Sequence, residues 1–227
     1  MPRSRAKPSS KVPAPAFAIP RHVAVEGPLR VGKSTLARFL AERMHARRVL
    51  DCEDNPFLGD FYREDPGSAF RTQMYFLNER YQRLRDALAS EAPGALVADF
   101  LFEKDKIFAY LNLDNEELKL YERYFERFAA ELPPPDLVIY LQASPEVLRE
   151  RIEKKAAPGE SRISSEYIEE VIHAYEHFFF RYSASNLLVV NTSEIDFVNR
   201  NADLQQLLQR IEEPVKGTQY FLPLGGG

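Results

Sequence analysis

Apolar residues gather in five short, nearly continuous runs: His22 to Glu26, Val49 to Cys52, Ala95 to Asp99, Leu137 to Leu141 and Leu187 to Asn191. Runs of this kind, rich in Val, Leu or Ile and lacking polar alternation, predict strands buried on both faces. Between them the apolar positions recur with helical spacing. Phe70, Met74, Leu77, Tyr81, Leu84 and Leu88 form one stripe. Leu118, Tyr121, Phe125 and Phe128 form a second, and Ile168, Val171, Ile172, Tyr175, Phe179 and Tyr182 a third. Buried strands separated by helices long enough for crossovers predict an α/β fold, a five-stranded parallel sheet flanked by helices on both faces. The chain shows no internal repeat.

Composition sets the boundaries. With 227 residues, 44% of them hydrophobic, the chain can bury a sizeable core. Against a prior of about 150 residues per domain it reads as one large domain with tails. No acidic residue precedes Glu26, whereas Arg3, Arg5, Lys7, Lys11 and Arg21 lie among prolines and serines. Residues 1–20 are therefore expected to form a disordered basic tail, residues 21–222 the domain, and residues 223–227 a flexible glycine terminus. No run approaches the roughly 18 apolar residues of a membrane span, so no membrane partner is expected. The single cysteine, Cys52, cannot form an intramolecular disulfide, which fits a reducing, cytoplasmic setting. The net charge of −4 opposes the basic field of a protein that coats nucleic acid, while leaving room for a local basic pocket.

One segment carries chemistry on its own. Gly27, Pro28, Leu29, Arg30, Val31, Gly32, Lys33 and Ser34 match G-x-x-x-x-G-K-[ST], placed after the first predicted strand and before a helix expected over Thr35 to Met44. In such a P-loop the glycines let successive N–H groups turn inward around phosphate oxygens, and the helix start adds the positive end of its dipole. Lys33 then brings a point charge to the β and γ phosphates, and the Ser34 hydroxyl can ligate Mg²⁺. This predicts a nucleoside triphosphate site in a P-loop NTPase fold and leaves the acceptor open.

The motifs that follow narrow the acceptor. Glu26 through Thr35 is succeeded by Asn55-Pro56-Phe57-Leu58 with Phe61-Tyr62, and by Phe70-Arg71-Thr72-Gln73 with Phe76-Leu77-Asn78-Glu79-Arg80. In this order they resemble the deoxynucleoside kinase family, and within it the bacterial deoxyguanosine and deoxyadenosine kinases. Asp99 to Asp105, the strand from Pro135 to Leu141, a lid-like stretch from Arg149 to Arg162 and Tyr167-Ile168-Glu169 agree, so that the resemblance spans residues 22–222. It implies purine-preferring, ATP- and Mg²⁺-dependent phosphorylation of a deoxynucleoside 5′-hydroxyl by a homodimer. It further implies that Gln73 hydrogen-bonds the base with Arg80 on the same helical edge, and that Asp105 is a second acid at the base. Tyr62 and Glu169 match the pair that holds the sugar 3′-hydroxyl. Asp99 matches the acid associated with Mg²⁺, and Arg151 and Lys155 of the lid join Lys33 and Thr35 on ATP.

The proton acceptor stays open between two residues. Relatives place a glutamate at the end of the second strand, slightly further from the Asn-Pro pair than Glu53; with one residue deleted Asp51 takes that position. Two departures from the family stand out. Phe100 occupies the place directly after the third-strand acid where many relatives carry arginine, and the lid offers Arg149, Arg151, Lys154, Lys155 and Arg162 around Ala156, Ala157 and Pro158. Lysine does not reproduce an arginine fork. A nucleotide-binding module without turnover is therefore one competing reading, and a nucleoside monophosphate kinase resembling thymidylate kinase is a nearby alternative. His173 and His177, four residues apart, lack further ligands nearby and are expected at the surface.

Overall fold

The computed structural model describes residues 20–90, 94–155 and 163–223. The expectations for the basic tail, for Ala156 to Arg162 of the lid and for the terminal glycines fall outside the described residues. In chain order the elements are β1 (His22–Glu26), α1 (Lys33–Met44), β2 (Arg47–Val49), α2 (Leu58–Phe61), α3 (Ser68–Ala89) and β3 (Leu96–Ala98). A 3₁₀ turn, Phe102–Lys104, leads into α4 (Asp105–Asn112) and α5 (Asn115–Ala129). Then come β4 (Leu137–Gln142), α6 (Pro145–Lys155), α7 (Ser165–Phe180), β5 (Asn186–Asn191), α8 (Asn201–Glu212) and β6 (Thr218–Phe221). The sheet runs β2-β3-β1-β4-β5-β6 with every neighbouring pair parallel. The chain leaves β1 toward β2 and β3 on one side and reaches β4 on the other. The carboxyl end of β1 is thus the switch point at which ligands of open parallel sheets bind.

Alternation within the strands divides the core. Val23, Val25, Ile139, Leu141, Leu188 and Val190 face Leu36 and Leu40 of α1, Leu148 of α6 and Leu207 of α8. Ala24, Val138, Tyr140, Leu187 and Val189 face the opposite way, under Ile107 of α4 and Val171, Tyr175 and Phe179 of α7. Toward β2 and β3 that second face is covered by Leu77, Tyr81 and Leu84 of α3 and by Tyr121 and Phe125 of α5. The stripes predicted for α3 and α5, and most of that for α7, are the residues that cover it.

Two expectations change. The second strand is Arg47–Val49 rather than Val49 to Cys52. Its ladder partners are Leu96, Val97 and Ala98, and two arginines on this outer strand hide it from a search for apolar runs. Beyond Val49 the chain leaves the sheet because side chains take its N–H groups: Asp51 N donates to Asp99 Oδ1 at 2.6 Å and Cys52 N to Asp51 Oδ1 at 2.9 Å. The sheet also has six strands, not five. β6 is short, its residues alternately exposed and half-buried at the edge, and pairs with β5 through Leu187↔Thr218 to Val190↔Phe221. Among the described residues no helix is long and apolar enough to cross a membrane.

β1 enters the sheet at His22, whose backbone N–H donates to Asp136 Oδ2 at 2.9 Å. Burial holds its imidazole below the ordinary value, opposed in part by Asp136. The folded state therefore resists a proton that the unfolded chain accepts below about pH 6.5, so His22 lowers stability as pH falls through that value. Urea denaturation at pH 7.5 and 5.5 (about two units apart, spanning that pKa) is expected to show a smaller loss of stability in His22→Gln than in the parent chain.

Candidate active site

β1 ends in Glu26, and the chain bends through Gly27 and Gly32 into α1. Both glycines have left-handed φ, 151° and 110°. A Cβ on Gly27 would press on the Leu141 carbonyl oxygen and lie 2.9 Å from Val31 Cγ1, and one on Gly32 would lie 2.6 Å from Phe197 Cζ. Only glycine fits either position. α5 opens with an Asp114 cap and α7 with a Ser164 cap, whereas α1 starts on Gly32 with no side-chain cap. Its first N–H groups are left for an anion at the positive end of the helix.

Lys33 Nζ donates to the carbonyls of Gly27 at 2.8 Å and Pro28 at 3.0 Å. Burial, then the neighbouring Lys104, push its ammonium down to about 8; an arriving triphosphate reverses that balance by supplying negative charge. Arg151 braces the bend from outside. Its Nη1 donates to Val31 O at 3.3 Å, and its Nη2 to Thr192 O at 3.0 Å and Ile195 O at 3.4 Å. Lys155 lies exposed at the end of α6, Leu29 and Ser34 are exposed, and Thr35 is half-buried beside them.

A charged network backs this bend. Glu26 is wholly buried, yet its oxygens are met. Oε1 accepts from Gly27 N at 2.9 Å and from the Tyr175 hydroxyl at 3.0 Å, and Oε2 accepts from Leu101 N at 2.7 Å. Lys104 Nζ lies 3.7 Å from Oε2. Asp51, just beyond β2, takes Arg80 Nε at 2.8 Å, Arg80 Nη2 at 3.2 Å and Lys104 Nζ at 2.6 Å. Burial alone would raise the Asp51 pKa, but the Arg80 and Lys104 cations outweigh it and hold the carboxyl well below the ordinary range. Arg83 fixes the same loop by donating to the carbonyls of Leu50 at 3.1 Å and Asp51 at 3.2 Å.

The network continues toward the other side of the site. The remaining arm of Arg80 pairs with Asp105, which is completely buried and also accepts from the Tyr121 hydroxyl at 3.0 Å. Gln73 Nε2 donates to both the carboxylate and, at 3.0 Å, the backbone carbonyl of Asp105. Burial raises the Asp105 pKa despite Arg80. Gln73, Asp105, Arg80, Asp51, Lys104 and Glu26 thus form one connected set. Asn55 ties the loop before it to α3, donating from Nδ2 to Thr72 O at 3.0 Å while its Oδ1 accepts from Phe57 N at 2.9 Å.

The other expected residues sit apart from that set. Glu53 is exposed, Tyr62 is half-buried at the end of α2, and Glu169 is exposed near the start of α7. His173 and His177 are exposed, His173 lying 3.4 Å from Glu176. Ser34 and Asp99 offer a hydroxyl and a carboxylate, hard oxygen donors suited to Mg²⁺. Among the described residues no group of three His, Cys, Asp or Glu could hold a metal.

Comparison with known proteins decides what kind of P-loop site this is. The profile of the deoxynucleoside kinase family matches residues 23–216. The chain is 32% identical over 200 residues to a deoxyguanosine kinase of Bacillus subtilis (strain 168), covering 84% of this chain and 96% of that protein. It is 30% identical over 206 residues to a deoxyadenosine/deoxycytidine kinase of the same organism, covering 87% and 94%. The chain belongs to the deoxynucleoside kinase family. A solved deoxyadenosine kinase from M. mycoides shares its fold, with a TM-score of 0.71 at 24% identity over 84% of this chain and 98% of that one.

As a deoxynucleoside kinase the protein carries out ATP-dependent phosphorylation of a deoxynucleoside. Several residues of its site escape sequence reasoning. Tyr121 and Tyr175 read as members of apolar stripes, although a buried tyrosine hydroxyl needs a partner, here Asp105 and Glu26. Glu26 carries a faint signal, as an acid closing an otherwise apolar strand. Lys104 carries none.

A glutamine at position 26 cannot accept from Gly27, Leu101 and Tyr175 together, because its amide nitrogen only donates. Glu26→Gln is expected to lose about 1–3 kcal/mol in urea denaturation and Tyr175→Phe about 1 kcal/mol. Calorimetry on Glu26→Gln should show ATP affinity falling more than nucleoside affinity.

Proposed function

We propose that this kinase transfers the γ-phosphoryl group of ATP to the 5′-hydroxyl of purine deoxynucleosides, with Asp51 accepting the hydroxyl proton. The observation that carries the reading is the continuous run of hydrogen bonds and ion pairs from Gln73 to Asp51, which ends close enough to Lys33 for their charges to interact. Such a run holds a base reader and a proton acceptor at fixed separation, one beside the triphosphate lysine and one about two turns of α3 away. Asp51 is favoured over Glu53 because it belongs to that run while Glu53 is exposed.

In the transfer the 5′-oxygen bonds to γ-phosphorus as the β,γ-bridging bond breaks, ADP leaves, and the proton passes to Asp51. Its low affinity for protons is compatible with this role. In a loose phosphoryl-transfer transition state, alignment of the nucleophile counts for more than the strength of the base. Mg²⁺, held by Ser34 and Asp99, would supply charge neutralisation on the phosphates. Gln73, anchored through its Nε2, keeps its amide oxygen for a purine N–H. Tyr62 and Glu169 take the sugar 3′-hydroxyl, and Lys155 closes on ATP. Relatives named for deoxyguanosine and deoxyadenosine support the purine assignment. A homodimer through α4 and α7 belongs to the same proposal, since Tyr110 and Phe180 remain exposed on those helices.

A turnover panel tests it. With ATP and each of the four deoxynucleosides and their monophosphates, deoxyguanosine and deoxyadenosine are expected to be phosphorylated fastest and the monophosphates not at all. Lys33→Ala should lose about 100-fold or more in kcat, and Gln73→Ala should lose about 10- to 100-fold in kcat/KM for purines and flatten base preference. Faster use of thymidine or of any monophosphate would contradict the assignment.

A further inference from the structure

Phosphoryl transfer needs cations around the charge that spreads over the transferring group. Lys33 supplies one. The position directly after Asp99 supplies none, because the Phe100 ring is wholly buried in the core with Leu77, Tyr121 and Phe125. A cation lies one turn further on. Lys104 closes the 3₁₀ turn, with its side chain 4% exposed, and its Nζ sits 2.6 Å from Asp51 Oδ2 and 3.7 Å from Glu26 Oε2. It is also near enough to Lys33 for the two ammonium groups to repel. Burying an ammonium is unfavourable unless carboxylates meet it, and here Asp51 and Glu26 do. Lys104 therefore stands where three things converge: the proton acceptor, the acid at the root of the P-loop, and the triphosphate lysine.

We propose that Lys104 is a positioning residue for phosphoryl transfer, fixing the Asp51 carboxylate toward the 5′-hydroxyl. The inference rests on the assignment of Asp51 as proton acceptor and adds a residue to it. Lys104 contributes alignment of the Asp51 carboxylate, and the 5′-hydroxyl proton goes to Asp51.

The test compares kcat and KM of the parent chain, Lys104→Met, Lys104→Arg, Asp51→Asn and the double variant Asp51→Asn/Lys104→Met, with circular dichroism for folding. Turnover by the parent chain checks the underlying kinase reading separately. Lys104→Met is expected to lose about 100-fold in kcat with KM for ATP within about threefold, and Lys104→Arg to keep about tenfold more activity than Lys104→Met. Because Lys104 acts through Asp51, the double variant should be within about threefold of Asp51→Asn. It removes one charge of each sign, so it remains informative if Lys104→Met alone does not fold. Parent-like kcat in Lys104→Met, a loss confined to KM, or a double variant about tenfold slower than Asp51→Asn would overturn the proposal.

Discussion

A carboxylate taken out of water has to be met by a cation or by N–H and O–H donors, or it gives up its charge. In this chain that requirement falls on neighbouring groups at the carboxyl end of the sheet. Glu26, Asp99 and Asp105 are almost wholly buried, and Asp51 lies among them. Arg80 and Lys104 satisfy part of the demand, and the backbone N–H groups of Gly27, Leu101 and Asp51, the Tyr121 and Tyr175 hydroxyls and the Gln73 amide meet more of it. The partners come from several elements, so the end of β1, the loop after β2, α3 and the turn after β3 can satisfy their charges only together. Removing a cation that a buried carboxylate depends on leaves that charge unmet, a loss of about 3–5 kcal/mol in well-studied cases.

The fold accounts for why those elements meet. Parallel strands place their carboxyl ends on one edge, and β1 sits between β3 and β4, so its P-loop opens at the switch point with Asp99 beside it. α3 then runs from the loop after α2 back under β2 and β3. Its apolar side, Leu77, Tyr81 and Leu84, is committed to the core, which leaves Gln73 and Arg80 turned toward the site, seven residues and two helical turns apart. A single helix thereby couples Gln73, proposed to read the base, to Asp51, proposed to take the proton, through Arg80 and Asp105. The uncapped start of α1 and the arginine brace from α6 set the phosphate end of the same assembly.

Much of this was legible in the residues. Near-continuous apolar runs located the central strands because buried parallel strands admit little else. The P-loop was unambiguous because its glycines answer a backbone need that no other residue meets. β2 and β6 were not visible as placed. Both are at the sheet edges, where arginine, threonine and glutamine are tolerated and apolar periodicity carries no signal. Gln73, Arg80, Asp105 and Asp51 came from resemblance rather than from pattern, and geometry joined them. Sequence alone leaves Asp51 and Glu53 both open, because the course of the loop beyond the sheet depends on Asp99, which accepts the Asp51 N–H from far along the chain. Glu26 and Lys104 escaped for a related reason, since a buried ion pair is defined by its partner and neither member predicts the other alone.

The central claim is that one connected set of charges holds the nucleoside's 5′-oxygen at Asp51 and ATP at Lys33. A crystal structure with ADP, Mg²⁺ and deoxyguanosine tests it most directly. It should show Lys33 Nζ released from the Gly27 and Pro28 carbonyls onto phosphate oxygens, the 5′-oxygen within hydrogen-bond reach of Asp51, and the base against Gln73. A nucleoside bound away from α3, or Asp51 still closed off behind Arg80 and Lys104 with no access to the sugar, would contradict it.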